Sequence, residues 1–233
     1  MLATFTAVAG PADYVYTPNV EYGEREIDFK AGNANLRDGG NANASSIGFG
    51  WGVMPRWFTE VYAKWHKDPQ EGSGFDAYEW ENKFQLTETG RYPVDVGLIL
   101  EIERPKNRAE GYEVRWGPLF QTDVTSKVQA NLNLLFQKNV RTEEPAATEM
   151  QYQWQLKYRY KPEFEFGAQG FGELGPWDHW APGSGQAHIA GPAIFGKLHV
   201  GTRQIINYNA ALLFGLNSGA PRNTLRVQAE YEF

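Results

Sequence analysis

The chain has 233 residues, of which 42% are hydrophobic and 15% aromatic, with a formal net charge of −6 and no cysteine. The missing cysteine excludes a disulfide, a thiolate metal site and a Cys nucleophile, and the negative balance argues against nucleic acid as a partner. No stretch approaches the roughly 18 apolar residues of a membrane helix, a limit that does not apply to strands, where only alternate residues need be apolar.

Residues 1–12 are small and weakly apolar and end in small residues before Asp13. They read as the tail of a secretory signal that lacks its basic start, or as a disordered amino-terminus. Either reading leaves 13–233 as one domain. The first strand is expected to join Val20 and Tyr22 to Ile27, Phe29 and Ala31 through a bulge near Gly23, turning Glu26, Asp28 and Lys30 to the other face. A Gly/Asn-rich loop, 32–44, follows. The second strand alternates Ile47, Phe49, Trp51 and Val53 with Gly48, Gly50 and Gly52, a strip that leaves room for long neighbours or for a lumen. After Pro55-Arg56 the third alternates Thr59, Val61, Ala63 and Trp65 with Glu60, Tyr62, Lys64 and His66, and 67–75 reads as loop.

The fourth strand sets Tyr78, Trp80, Phe84 and Leu86 against Glu79, Glu81, Lys83 and Gln85, with Asn82 out of pattern on the apolar side. A tight turn, 87–93, leads to the fifth, with Val94, Val96, Leu98, Leu100 and Ile102 against Asp95, Glu101 and Glu103. The sixth carries Tyr112, Val114, Trp116 and Phe120 against Glu113 and Arg115; Pro118 removes a ladder donor and predicts a bulge or an early end. The seventh and eighth pair apolar faces (Val128 to Phe136; Met150 to Tyr160) with Gln/Asn-rich faces that also hold Lys157 and Arg159. The ninth presents Phe164, Phe166 and Ala168. Residues 174–188 form a long loop with Trp177, Asp178, His179 and Trp180. The tenth has Ile194, Leu198 and Val200 against Lys197 and His199, and the eleventh Ile206 to Phe214.

The last stretch is the cleanest. Leu225, Val227, Ala229, Tyr231 and Phe233 share one parity; Arg226, Gln228, Glu230 and Glu232 share the other, so a strand here is apolar on one face and polar on the opposite one. A final Phe with apolar residues at every second position before it resembles the carboxy-terminal strand of Gram-negative outer-membrane β-barrels. The alternation elsewhere and the contrast between short and long connections match the same class. The resemblance implies an all-β, closed antiparallel up-and-down transmembrane barrel of about 12 strands, in the outer membrane, with both termini in the periplasm. It implies lipid and lipopolysaccharide around the barrel, and recognition of the last strand by the insertion machinery as an assembly signal. A soluble lipocalin-like barrel or a sandwich, with the apolar face inward, is the competing architecture.

With the apolar face on lipid, the polar face lines the interior. Glu26, Asp28, Glu60, Glu79, Glu81, Asp95, Glu101, Glu103 and Glu113 would make one wall acidic; Arg115, Lys157, Arg159, Lys197 and Arg226 supply basic charge, most of it opposite. Such walls resemble the transverse field of a general porin constriction and suggest a narrow passive channel for small polar or cationic solutes. The alternative is a lumen filled by salt bridges with a structural, assembly or surface-binding role. A hydrolase is a third reading: the strand count resembles the outer-membrane phospholipase, and omptin proteases carry Asp and His at their rim. No Ser shares depth with a His, so a Ser triad has little support; His66, Asp68, Asp76, Asp178, His179 and His188 would lie near the extracellular end, as a water-activating or metal site or as solvated rim residues. No cofactor and no metal site is expected. The Trp177–Trp180 loop reads as a headgroup anchor, or as a constriction if it folds inward.

Overall fold

A computed structural model describes residues 10–68, 72–142 and 145–233. Of the stretch 1–12 read as signal remnant or disordered tail, residues 1–9 therefore fall outside the described residues. The remainder forms twelve antiparallel strands: β1 Arg25–Asn35, β2 Asn41–Met54, β3 Trp57–Asp68, β4 Gly72–Gln85, β5 Asp95–Pro105, β6 Tyr112–Thr125, β7 Val128–Val140, β8 Glu149–Lys161, β9 Phe164–Pro176, β10 Ala187–His199, β11 Ile205–Gly215 and β12 Asn223–Glu232. Each pairs with its sequence neighbours, and β12 pairs with β1 from Glu26↔Glu232 to Asn35↔Asn223, closing the barrel. Closure removes the open edges that would otherwise leave a row of backbone groups unpaired.

The direction of the faces is as the alternation predicts. Leu132, Val227, Phe49 and Trp80 are exposed on the outside, whereas Glu81, Gln153 and Arg226 are buried in the interior. Asn82, the polar residue at an outward position, is buried beneath Trp57, whose Nε1 donates to its Oδ1 at 3.0 Å. The strands run further than their apolar cores. The loops read at 32–44 and 174–188 shrink to 36–40 and 177–186, because polar residues continue the ladder; Asn33 Nδ2, for example, donates to Asn43 Oδ1 at 2.6 Å. β4 likewise begins at Gly72, inside the stretch read as loop.

Three expectations are corrected. Val20 and Tyr22 are not in β1, which starts at Arg25. Gly23 has φ of 84° and turns the chain instead of bulging a strand. Pro118 neither ends nor bulges β6: the β6–β7 pairs resume at Leu119↔Asn133 in the register left at Trp116↔Phe136. The lost donor thus costs local hydrogen bonding and leaves the strand's path intact. The connection after β4, residues 86–94, is longer than the two-residue turns after β2, β6 and β8.

The interior is also not uniformly polar. Ile99, Leu119, Leu135, Phe171, Ile189, Phe195 and Leu213 all point inward and are buried. They form two clusters, one around Tyr16 and one around Val15. Both residues belong to a segment, 10–24, that precedes β1 and passes through the barrel. Leu135→Ala should therefore cost about 2–5 kcal/mol in denaturant unfolding, as for a buried leucine in a packed core. Leu132→Ala, three residues away on the outer face, should cost markedly less.

Candidate functional site

The segment 10–24 is a strap through the lumen. Near one end, the carbonyl oxygen of Pro11 lies 1.9 Å from where a Cβ on Gly32 would stand. Near the other, the carbonyl of Glu21 lies 1.9 Å from the same point on Gly52. Gly32 sits toward the β1–β2 loop and Gly52 beside the Pro55-Arg56 turn, so the strap runs the length of β1 before reversing into it. Only glycine lets a backbone approach a strand so closely. The reversal is tied by Gly23 N donating to Gly52 O at 2.8 Å and Gly52 N donating to Glu24 O at 2.9 Å. Residues 10–12 thus lie toward the long-loop end. Phe233, whose N–H bonds Arg25 O, lies at the short-turn end. The amino- and carboxy-terminal ends of the described chain are at opposite mouths, not at one.

The strap is extended, so its side chains alternate. Tyr14 and Tyr16 face β4 to β7. The Tyr14 hydroxyl donates to Glu81 Oε2 at 2.6 Å, Asn133 Nδ2 donates to Tyr16 O at 3.1 Å, and Arg115 Nη1 lies 3.4 Å from the Tyr16 hydroxyl. Val15 turns the other way, onto the β9 to β11 cluster. Further along, Val20 N donates to Gln85 Oε1 at 2.8 Å. The strap leaves a cavity of about 490 Å³ on its short-turn side and one of about 290 Å³ on its long-loop side, with Tyr14 and Tyr16 lining both.

Most of the acidic wall is where the alternation puts it. Glu60, Glu81, Glu101 and Arg115 are successive cross-strand partners on β3 to β6. Glu79, Glu103 and Glu113 form a second row. Like charges placed directly opposite repel, and three cations offset them. Lys64 reaches Glu79 at 3.0 Å and also Glu103; Arg115 reaches Glu101 at 3.2 Å and Glu113 at 3.5 Å; Lys30 reaches Asp28 at 3.1 Å. Lys30 Nζ also lies 3.5 Å from the centre of the Tyr14 ring and 3.8 Å from that of Tyr62, a cation held between aromatic faces. Glu26, Asp28, Glu60, Glu79, Glu81, Glu101, Glu103 and Glu113 thus number eight carboxylates against Lys30, Lys64, Lys83 and Arg115. Asp95 stands apart, accepting from Gly90 N at 2.8 Å and holding the 86–94 connection.

The opposite wall is less basic than expected. Arg159 sits at a mouth, bidentate to Asp123 at 2.8 and 2.9 Å. Lys157 pairs with Glu165 at 3.1 Å, and Lys197 lines the larger cavity. Among the described residues only Arg226 is a deeply buried cation there, over the Phe171 ring at 4.8 Å and 3.3 Å from Asn209 Oδ1. The rest is a neutral amide lattice, in which Asn131 donates to Gln121, Asn133 to Gln153, Gln151 to Gln137 and Gln169 to Gln155. Amides both donate and accept, so such a lattice links strands without charge, though Asn131 Oδ1, Asn133 Oδ1 and Gln169 Oε1 are buried in it without a partner.

The mouths hold little chemistry. Trp177 and Trp180 are exposed and line neither cavity, so the loop does not fold in as a constriction. Asp178 and His179 bond each other in solvent at 2.7 Å. His66 lies 3.1 Å from Asp76, and His188 bonds Tyr152 and Gln186. Among the described residues no histidine joins a group of three potential metal ligands. At the short-turn mouth, before β1, the Glu24 carboxyl is pushed up to about 7, by burial first and then by Glu232 and Glu230, with Lys83 opposing.

The strap itself was not read from the sequence. Its signal was present: large apolar residues at lumen parity on both halves of the sheet, which a water-filled or salt-bridged interior would not require.

No protein-family model matches the chain, and no curated protein matches it in sequence. Solved structures do share its fold. The NanC porin is 10% identical with a TM-score of 0.61 over 89% of this chain and 100% of that one. An outer-membrane channel from Pseudomonas putida F1 is 11% identical with a TM-score of 0.62 over 95% and 99%. The beta domain of the Bordetella autotransporter Brka is 10% identical with a TM-score of 0.55 over 91% and 99%. The chain has the closed antiparallel fold of outer-membrane barrels.

Two outcomes follow from this geometry. Arg115→Met strands buried carboxylates on two strands and should cost about 3–5 kcal/mol in urea unfolding; Lys157→Met, nearer solvent, should cost less. Glu24 holds its proton in the fold above the ordinary carboxyl value of 4.5, so stability is greatest below 4.5, falls as pH rises toward about 7 and is level above. Glu24→Gln should flatten that limb of a melting-temperature profile.

Proposed function

We propose that the chain is an outer-membrane channel for small polar or cationic solutes, closed by its own amino-terminal strap. The observation that carries this reading is the strap's place between two cavities, against a wall with more carboxylates than cations. The exposed apolar band supports a lipid surround, since every ladder is closed and no backbone edge would face hydrocarbon. On this reading the long loops lie outside and Phe233 lies in the periplasm, which brings Gly10 to the outer mouth. The outward row Leu225, Val227, Ala229, Tyr231 and Phe233, with its last two rings stacked at 5.7 Å, would be what the insertion machinery reads.

Displacing the strap would leave a lumen lined on one side by carboxylates and on the other by amides. Cations would enter it more readily than anions, because a ring of acidic side chains in a low-dielectric wall favours positive charge. A second reading, a permanently filled barrel with a structural role, is favoured by the apolar seats under Val15 and Tyr16.

Planar-bilayer recording separates the two. The intact chain should show rare or small steps, and a variant lacking residues 10–22 should show larger, sustained, cation-selective steps. The selectivity should fall in the same deletion carrying Glu60→Gln and Glu81→Gln. Absence of steps from the folded deletion variant, in any salt, would leave the filled barrel.

A further inference from the structure

We propose that Glu79, Glu81 and Glu101 form a binding site for a hard divalent cation of the calcium class, set in the lumen wall behind Tyr14. This does not depend on conduction; a filled barrel would carry the site equally well. The three residues bring one carboxylate oxygen each within 4.8 Å of the others. That separation spans a coordination sphere in which metal–oxygen distances are about 2.3–2.6 Å.

Each carboxylate is already held by a different donor through Oε2: Glu79 by Lys64 at 3.0 Å, Glu81 by the Tyr14 hydroxyl at 2.6 Å, and Glu101 by Arg115 at 3.2 Å. These bonds fix the groups without occupying Oε1. On Glu101, itself 2% exposed, Oε1 is buried and meets no donor. A buried carboxylate oxygen without a partner is costly, and a cation shared with two neighbouring carboxylates would supply one.

Charge argues the same way. Eight carboxylates on this wall face four cationic side chains, and adjacent glutamates on β4 and β5 are direct cross-strand partners. One divalent ion removes half of that excess of four. The donors are all oxygens, with no His or Cys among them, which suits calcium over zinc or copper. Water would complete the larger coordination number of calcium, since Glu81 lines the cavity on one side of the strap and Glu79 the cavity on the other. Tyr14, bonded to Glu81, places the strap in contact with the site, so the bound ion would also tighten the strap's hold.

The test uses the full chain, folded in detergent and stripped with chelator. Calorimetric titration with Ca²⁺ should show one saturable site, and saturating Ca²⁺ should raise the melting temperature. Glu101→Gln should weaken binding on the order of tenfold or more, because affinity follows the count of charged ligands, and should remove the melting shift. Glu163→Gln, in the β8–β9 turn, should leave both unchanged. Should Glu101→Gln fail to fold, Glu81→Gln is read in its place. No saturable binding by the unaltered chain overturns the proposal; so does wild-type affinity in a folded variant with all three glutamates changed to Gln.

Discussion

Everything in this molecule depends on the backbone ladder between its first and last strands. Twelve strands in a row have two open edges, and the outer face of this sheet is apolar. In an apolar surround, unpaired N–H and C=O groups cost several kcal/mol each. Joining β12 to β1 over ten residue pairs removes both edges together. Once the sheet is closed, its period of two allows a single division of side chains, with one parity outside and the other within.

Closure then creates a second problem, the interior. A twelve-stranded barrel is wider than the small barrels that their own side chains fill, and here the deficit is met by the chain itself. The strap enters as an extended peptide, so it too alternates. Its tyrosines face the charged wall, where their hydroxyls find partners, and Val15 faces the apolar seats on β9 to β11. Glycines at the lumen positions of β1 and β2 admit its backbone. The strap is therefore complementary to the wall in shape, polarity and hydrogen bonding at once. A chance passenger in the pore would not achieve that.

The lumen also shows how two polar walls of different chemistry solve one requirement. On β7 to β9, amides bond amides across strands and need no counter-charge. On β3 to β6, carboxylates stand opposite carboxylates, and their repulsion is relieved by Lys30, Lys64 and Arg115 reaching across the ladder. The first wall is electrostatically quiet and the second is strained toward positive charge.

Much of this was legible residue by residue. Alternation in the stretch from Leu225 to Phe233, and in the eleven before it, set strand number and the direction of the faces, because period two is a local property of the extended chain. The inward carboxylates from Glu26 to Glu113 were assigned for the same reason. What the alternation could not convey was the relation between elements distant in sequence. Tyr16 meets Leu135 and Val15 meets Leu213 only because the barrel closes around them, and the inward apolar residues that mark those contacts look like isolated faults in a polar face until the strap is seen. Likewise the meeting of Glu79, Glu81 and Glu101 with Tyr14, Lys64 and Arg115 depends on register and on the path of the strap. Periodicity along one strand carries no information about either. The sequence alone determined which side of the wall each residue occupies; the tertiary structure decided what stands in the space the wall encloses, since that depends on contacts between residues up to about two hundred positions apart.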